Sequence, residues 1–414
     1  MTPVLMLVIN PMTADARVEK EAASLAATGC EVTVLATAAE GAPAREERDG
    51  FTILRLPYQR VVKDRITGSI ERERGRGTIG GRVRARVWWL VGGPYLKIMR
   101  SRLLPIEYFR GLAREALDLV KLPAVIHAHD LGTLRAAVKL AKAWKQRTGS
   151  QPRVVYDSHE LYVEQQTRWP WWEKAMWKAH ERRWIHHADA VITVSGGIAD
   201  QLQRRYRLTT RPLVILNSPR AETDRSLGRD VRNDLGLESS TLLAVYAGAV
   251  KPSRGVDELV DALSLLPGWH LALVGTTPES LEGVLGSRSF PDDLAARVHT
   301  LRPVPYWSLP EYLSSATVGV HPLPDSCLNH RLALPNKLFD YLFAGLPVVV
   351  NDLPEMGNLV RTRAVGSTYE GGEPSSLARA LDGSKDLLVS PGAIDDLSWD
   401  RQEKLLRALY DILL

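Results

Sequence analysis

With 414 residues, 45% hydrophobic and 24% charged, the chain has room for two or three domains and the balance of a folded, water-exposed protein. Its two cysteines, Cys30 and Cys327, match no disulfide or metal spacing and fit a reducing cytoplasm. No apolar run reaches the roughly eighteen residues of a membrane-spanning helix, and no secretory signal is expected before Arg17.

Val4 to Ile9 reads as a buried strand, Arg17 to Ala27 as a helix stopped by Gly29, and Val32 to Ala36 as the next strand, one βαβ unit. The net charge of +5 is unevenly placed. From Arg60 to Arg102 twelve basic residues face the three acids Asp64, Glu71 and Glu73, around the apolar run Val87-Trp88-Trp89-Leu90-Val91. Cations flanking tryptophans suit an anionic membrane surface. No nucleic-acid module accompanies them, so nucleic acid is not an expected partner. An arginine-rich loop with its tryptophans tucked inside is the bland alternative.

Further strands fall at Val125 to Ala128, Val154 to Tyr156, Ala190 to Val194 and Val214 to Leu216. His127 and His129 are two apart on one of them and share a face; without a third ligand, metal binding is not expected. Trp169, Trp171, Trp172, Trp177 and Trp184, with Arg182 and Arg183, read as helical packing. Asn217 to Ser240 is polar and reads as an interdomain linker. The βαβ pattern then returns: strand Leu242 to Tyr246, loop Lys251 to Gly255, helix Val256 to Leu266, strand His270 to Val274, and a strand at Val318 to His321. Two doubly wound α/β halves follow, with functional loops expected beyond the strand ends, in a central cleft.

The richest segment is Leu334 to Tyr341, running on into Val348-Val349-Val350. Pro335 suits the first turn of a helix, Gly345 its stop, and the valines a buried strand. The free N–H groups and positive dipole end of that helix, with Lys337 beside them, form a place for phosphate. Asn336, Lys337 and Asp340 share a helix face. A carboxylate one turn further suits the hydroxyls of a ribose. A solvent-exposed ion pair of Lys337 with Asp340 is the plain alternative.

These segments together resemble the family 4 glycosyltransferases over nearly the whole chain. Asp15 to Ala22 and Gly29 to Val34 resemble the family's first helix and second strand. His127-Ala128-His129-Asp130 and Tyr156-Asp157-Ser158-His159-Glu160-Leu161 resemble its middle strands, and Ala188 to Ser195 the strand closing the first domain. Gly248 to Gly255 and Leu334 to Tyr341 resemble its nucleotide-binding loops. Trp399 to Leu414 resembles its last helix, which crosses back.

The resemblance implies the GT-B fold, two Rossmann-like domains facing a central cleft. Residues 1–218 would be the acceptor-binding domain and 219–397 the nucleotide-sugar domain, with 398–414 packing back on the first. The implied activity is retaining sugar transfer from a nucleoside-diphosphate sugar, UDP-linked rather than GDP-linked, without metal or cofactor. The acceptor would be a glycan, lipid-linked or small-molecule sugar acceptor. The setting would be surface polysaccharide or glycoconjugate synthesis in the cytoplasm, peripheral on the inner membrane face through 60–102.

By the same resemblance Arg254 falls at the phosphate-binding lysine. Ala249 replaces the companion arginine, with Lys251 as substitute. Asp340 falls at the ribose-binding acid, and Leu332 replaces the other acid, with Asn336 and Lys337 compensating. Val304 falls near the nucleobase loop. His159 would touch the donor sugar or the reacting hydroxyl, so His159, Arg254 and Lys337 form the catalytic set. Glu160, Asp15 and Arg17 would meet the acceptor, and Asp157 reads equally as a turn cap. Three alternatives stay open. A glycosyltransferase of small soluble metabolites would need no basic aromatic patch. A nucleotide-sugar 2-epimerase of the same fold would need more acidic or histidine residues in the first domain. A non-catalytic nucleotide-sugar-binding homologue would explain Ala249 and Leu332.

Overall fold

The computed structural model describes residues 1–57, 113–165, 169–220, 226–286 and 291–414. The basic segment 60–102, with the membrane contact expected there, lies outside the described residues. The chain forms two compact units. The first comprises Met1–Thr193, Ala199–Leu213 and Leu406–Leu414, the second Val194–Ile198 and Val214–Leu405.

The first unit is built on a sheet of β1 (Thr2–Leu7), β2 (Cys30–Thr37), β3 (Arg45–Arg48), β4 (Phe51–Leu56), β5 (Val125–His129), β6 (Arg153–Ser158), β7 (Ala190–Thr193) and β8 (Leu213–Val214). Their order is β3-β4-β2-β1-β5-β6-β7-β8. β1 pairs parallel with β2 and β5, and β5 with β6. Every residue of β5 is buried, as a parallel strand covered on both faces requires. Helix α1 (Ala16–Ala27) begins at Asp15, whose carboxylate accepts from the Val18 amide, and is followed by Gly29 at φ +88. Helices α2 (Asp130–Thr148) and α3 (Trp171–Ile185) follow β5 and β6. On α3, Trp177 and Trp184 are buried while Trp171 is exposed, so the expected helical packing holds only in part.

The second unit carries β9 (Leu242–Ala247), β10 (Trp269–Val274), β11 (Val298–Leu301), β12 (Val318–His321), β13 (Val348–Asn351) and β14 (Gly366–Tyr369). Their order is β11-β10-β9-β12-β13-β14, with every registered pair parallel. Helix α4 (Val256–Ser264) follows the loop after β9, and α5 (Asn336–Phe343) precedes β13. The last helix, α6 (Trp399–Leu413), starts in this unit and ends in the first.

Two expectations are corrected. The stretch 217–240 is not merely a linker: Asp230 caps a short helix, Val231–Leu235, and Val231 is buried in the core of the second unit. The hairpin of β3 and β4 was not expected, because Arg45-Glu46-Glu47-Arg48 lacks an alternating apolar pattern. Its signal was the Asp49-Gly50 pair, which turns at φ +45 and +83 as a tight hairpin demands.

Candidate functional site

In the second unit the site starts from glycines at strand ends. β9 ends at Ala247, and Gly248 follows at φ +117, its amide bonded to the Val274 carbonyl at 2.7 Å. A Cβ there would lie 2.8 Å from Lys337 Cε, so the glycine leaves the space that the lysine fills. Gly255, at φ +71, opens α4, and a Cβ there would collide with the Pro322 carbonyl. Only glycine permits both the left-handed turn and this approach of chain to chain.

Helix α5 begins at Asn336, with Pro335 as its cap residue rather than its first helical one. A proline offers no capping side chain, so the first-turn N–H groups receive none. The Tyr341 hydroxyl accepts from the Ala247 amide at 2.8 Å, which pins the helix to the end of β9. Lys337, one turn earlier, therefore lies over Tyr246, with Nζ 2.7 Å from the hydroxyl and 3.9 Å from the ring centre. Burial, and then the charge of Arg254, pull the Lys337 ammonium down to about 7 against the opposing pull of Asp340. His321, fully buried at the end of β12, is pushed well below its usual value by burial, Lys337 and Arg254. Neither of its ring nitrogens has a hydrogen-bond partner among the described residues. Two like charges brought near each other, with Asp340 as the opposing carboxylate, are an arrangement that can receive a polyanion.

Of the residues expected to bind the donor, Lys337, Arg254 and Asp340 come together. Asn336 is exposed on the first turn, Lys251 is exposed before the short turn Pro252–Arg254, and half-buried Val304 packs on the core of the second unit. Sequence reasoning placed Gly248 and Tyr341 only within expected loop segments, and missed Tyr246 and His321. The aromatics read as plain core, and only proximity in space gives them a role.

The first unit gathers a second constellation. Arg17, expected to meet the acceptor, is instead buried, with 2% of its side chain exposed. Nε donates to Asp157 Oδ2 at 2.7 Å and Nη2 to Oδ1 at 2.9 Å, while Glu21 Oε1 stands 3.1 Å from Nε. The helix face that carries Arg17 and Glu21 packs onto the sheet, so a charge that reads as surface is committed to an interior pair. Asp157 is accordingly no turn cap. It is fully buried, and burial, which would raise it, is outweighed by Arg17 and His159, which hold it well below the usual carboxylate range.

His159, just beyond β6, is 17% exposed. Its Nε2 lies 2.9 Å from Asp157 Oδ2 and its Nδ1 3.5 Å from Asp130 Oδ2. Burial opposes its charge, but Asp130 and Asp157 prevail and push it up to about 10, an imidazolium at neutral pH. Asp130 is held at φ +62, a backbone state that aspartate tolerates better than most residues. The remaining acceptor candidates differ: Asp15 caps α1 and its Oδ2 accepts from the Asn10 side-chain Nδ2 at 2.7 Å, while Glu160 is exposed.

The histidine pair is not without further ligand atoms, contrary to expectation. One ligand-type atom from each of Glu21, His127, His129 and Asp157 falls within 4.8 Å of the others. Electrostatics speak against a metal there. The Arg17 guanidinium, with Nε 3.1 Å from Glu21 Oε1, already supplies a fixed positive charge at this cluster and would repel a cation there. Asp157 already spends both oxygens on Arg17.

Residues 16–218 match the family model Glycosyltransferase Family 4, and residues 241–383 match Glycosyl transferases group 1. No curated protein sequence matches the chain. Among solved structures, a sucrose-phosphate synthase from Thermosynechococcus elongatus superposes with a TM-score of 0.72 at 17% identity, covering 100% of this chain and 99% of its own. HepE from Anabaena, in complex with UDP-glucose, gives 0.66 at 14%, covering 99% and 100%. The catalytic domain of starch synthase IV from Arabidopsis thaliana, bound to ADP and acarbose, gives 0.64 at 13%, covering 100% and 99%. The chain has two Rossmann-like α/β domains of the GT-B glycosyltransferase fold, with glycosyltransferase domains in both halves.

Proposed function

We propose that the protein is a retaining, metal-independent glycosyltransferase using a nucleoside-diphosphate sugar, with UDP as the favoured nucleotide. The observation that carries this reading is the convergence of Lys337 and Arg254, whose charges oppose each other, near the uncapped end of α5 beside Gly248 and Gly255. A diphosphate supplies negative charge there, and it carries more of that charge when it departs than while bound to the sugar. Cations placed at the leaving group therefore favour the transition state over the ground state. Asp340, one turn along, binds the ribose hydroxyls, with Lys251 and Asn336 at the rim and Val304 beside the base. The UDP-sugar and ADP complexes of the fold's relatives support a nucleotide in this role.

His159, as an imidazolium, acts as a hydrogen-bond donor and positive charge toward the donor sugar or the reacting hydroxyl. It is not the general base. Glu160 and Asp15 meet the acceptor, a glycan, lipid-linked or small-molecule sugar. The segment 60–102 brings the protein to an anionic membrane surface where a surface polysaccharide or glycoconjugate is built. Among the described residues no helix is long and apolar enough to cross a membrane.

Thermal-shift screening of nucleotide sugars, followed by product NMR with a chelator present, tests the reading. A donor at a hundred times its Kd adds about 2.7 kcal/mol of stability. Arg254→Ala and Lys337→Ala each lower kcat/KM by about 2–4 kcal/mol in transition-state free energy. Activity within a few-fold of wild type in both variants, or loss of activity on chelation, overturns it.

The second reading, a nucleotide-sugar 2-epimerase, draws on the acids and histidines gathered in the first unit. The four clustered groups, Glu21, His127, His129 and Asp157, are all buried, which favours the transferase. Solvent deuterium appearing at C2 of a UDP-sugar without acceptor would reverse the preference.

A further inference from the structure

Beneath His159 lies a buried set of groups that the proposed reaction does not use. Glu21 on α1 is fully buried, and neither of its oxygens has a hydrogen-bond donor among the described residues. Arg17 is close, but its Nε–H is aimed at Asp157. From β5, His127 and His129 stack with ring centres 4.4 Å apart, and each has a bare Nε2. Their other nitrogens are engaged: His127 Nδ1 with the Tyr410 hydroxyl of α6 at 2.9 Å, and His129 Nδ1 with His159 Nε2 at 3.1 Å and Asp157 Oδ2 at 3.3 Å, the His159 Nε2–H being directed to Asp157 Oδ2 at 2.9 Å. A lone pair on His129 Nδ1 would repel that carboxylate, so the proton sits on Nδ1 and Nε2 is an acceptor. His127 Nε2 lies 3.6 Å from Glu21 Oε2, a gap that a small rotation of the carboxyl closes.

Two buried carboxylates, Asp157 and Glu21, thus share one guanidinium. Asp157 takes both of the aimed N–H groups and the histidine protons. A second negative charge beside it, with no donor of its own, is the less favourable state.

We propose that Glu21 is a positioning residue kept as a neutral carboxylic acid. It donates its proton to the Nε2 side of the His127–His129 pair and leaves Asp157 as the one full negative charge beneath His159. The device fixes the His129 tautomer, keeps Arg17 on Asp157, and so holds the imidazolium of His159 in place. Burial, joined by Asp157, outweighs the opposing pull of Arg17, His129 and His159 and leaves Glu21 raised to about 7. The other groups facing it are His127, which burial holds neutral, and the Tyr410 hydroxyl, itself beside Cys30 of β2.

The test compares Glu21→Gln, a neutral donor of the same shape, with Glu21→Ala. In the full-length protein without any substrate, a unit below neutral pH, infrared difference spectra of wild type against Glu21→Gln are expected to show the carbonyl stretch of a protonated carboxylic acid. The His159 NMR signal is expected to stay that of an imidazolium in Glu21→Gln. Absence of the carbonyl band, or one equivalent of metal in the purified protein that Glu21→Gln loses, overturns the proposal.

The activity arm rests on the transferase reading, whereas the spectroscopic arm does not, so the two can fail separately. Glu21→Gln is expected to keep kcat within about threefold. Glu21→Ala is expected to lose tenfold or more in kcat with little change in donor KM. A Gln variant as damaged as the Ala variant while still folded also refutes the proposal.

Discussion

Lys337 Nζ rests 2.7 Å from the Tyr246 hydroxyl and 3.9 Å above its ring, a half-buried cation with an aromatic face in place of a full counter-charge. With its folded value at about 7, the lysine is largely neutral at pH 8, and an arriving diphosphate restores its proton. Binding of UDP is therefore expected to take up a proton above neutrality and little below it. Calorimetry in buffers of different ionisation heat measures this. In Lys337→Met the uptake should vanish; unchanged uptake would locate the titrating group elsewhere. The same shift has a sign for stability. Between about 7 and 10.5 the unfolded chain binds this proton and the folded one does not, so this contribution to stability rises with pH across that window.

Arg17 and Asp157 form the buried ion pair of the first unit. Asp157→Asn leaves a guanidinium without its charge partner and is expected to cost about 3–5 kcal/mol of stability in urea denaturation. A loss below ~1 kcal/mol would mean that Glu21 takes the arginine over.

His159 has the opposite pH sign from Lys337. Its folded value, about 10, lies above the ordinary 6.5 of the unfolded chain. The stability it contributes is complete below pH 6.5 and is lost as pH rises through about 10. NMR titration of the imidazole is expected to show no transition between pH 6 and 8 in wild type. Removing Asp130, as Asp130→Asn, should bring the transition downward; a midpoint near 6.5 in the wild type would refute the two-carboxylate account.

Gly255 has a left-handed φ of +71 and faces the Pro322 carbonyl. Gly255→Ala adds the strain of that backbone state, about 1–2 kcal/mol, to a collision with backbone that cannot rotate away. The expected result is a lower Tm and weaker nucleotide binding, checked by calorimetry. Gly268→Ala serves as the control, since nothing lies within 4 Å of a Cβ there.

Replacing Arg82, Arg84 and Arg86 with alanine is expected to weaken sedimentation with anionic liposomes, most strongly at low salt, since screening at higher ionic strength removes much of the attraction. Equal sedimentation of variant and wild type at low salt would reject the membrane contact.

The periodicity of the chain determined the two α/β halves, because runs such as Val348-Val349-Val350 and the helical spacing after Asp15 leave few other ways to bury their apolar atoms. Proline, glycine and lysine also marked a helix end through local backbone geometry, read at Pro335, one residue before the helix begins at Asn336. Local pattern could not tell that the arginine of α1 turns inward, that Asp157 gathers Arg17, His129 and His159, or that Tyr246 faces Lys337. Those partners lie up to 140 residues apart. Their charges depend on desolvation and on distances of a few ångströms, which exist only once the strands are side by side.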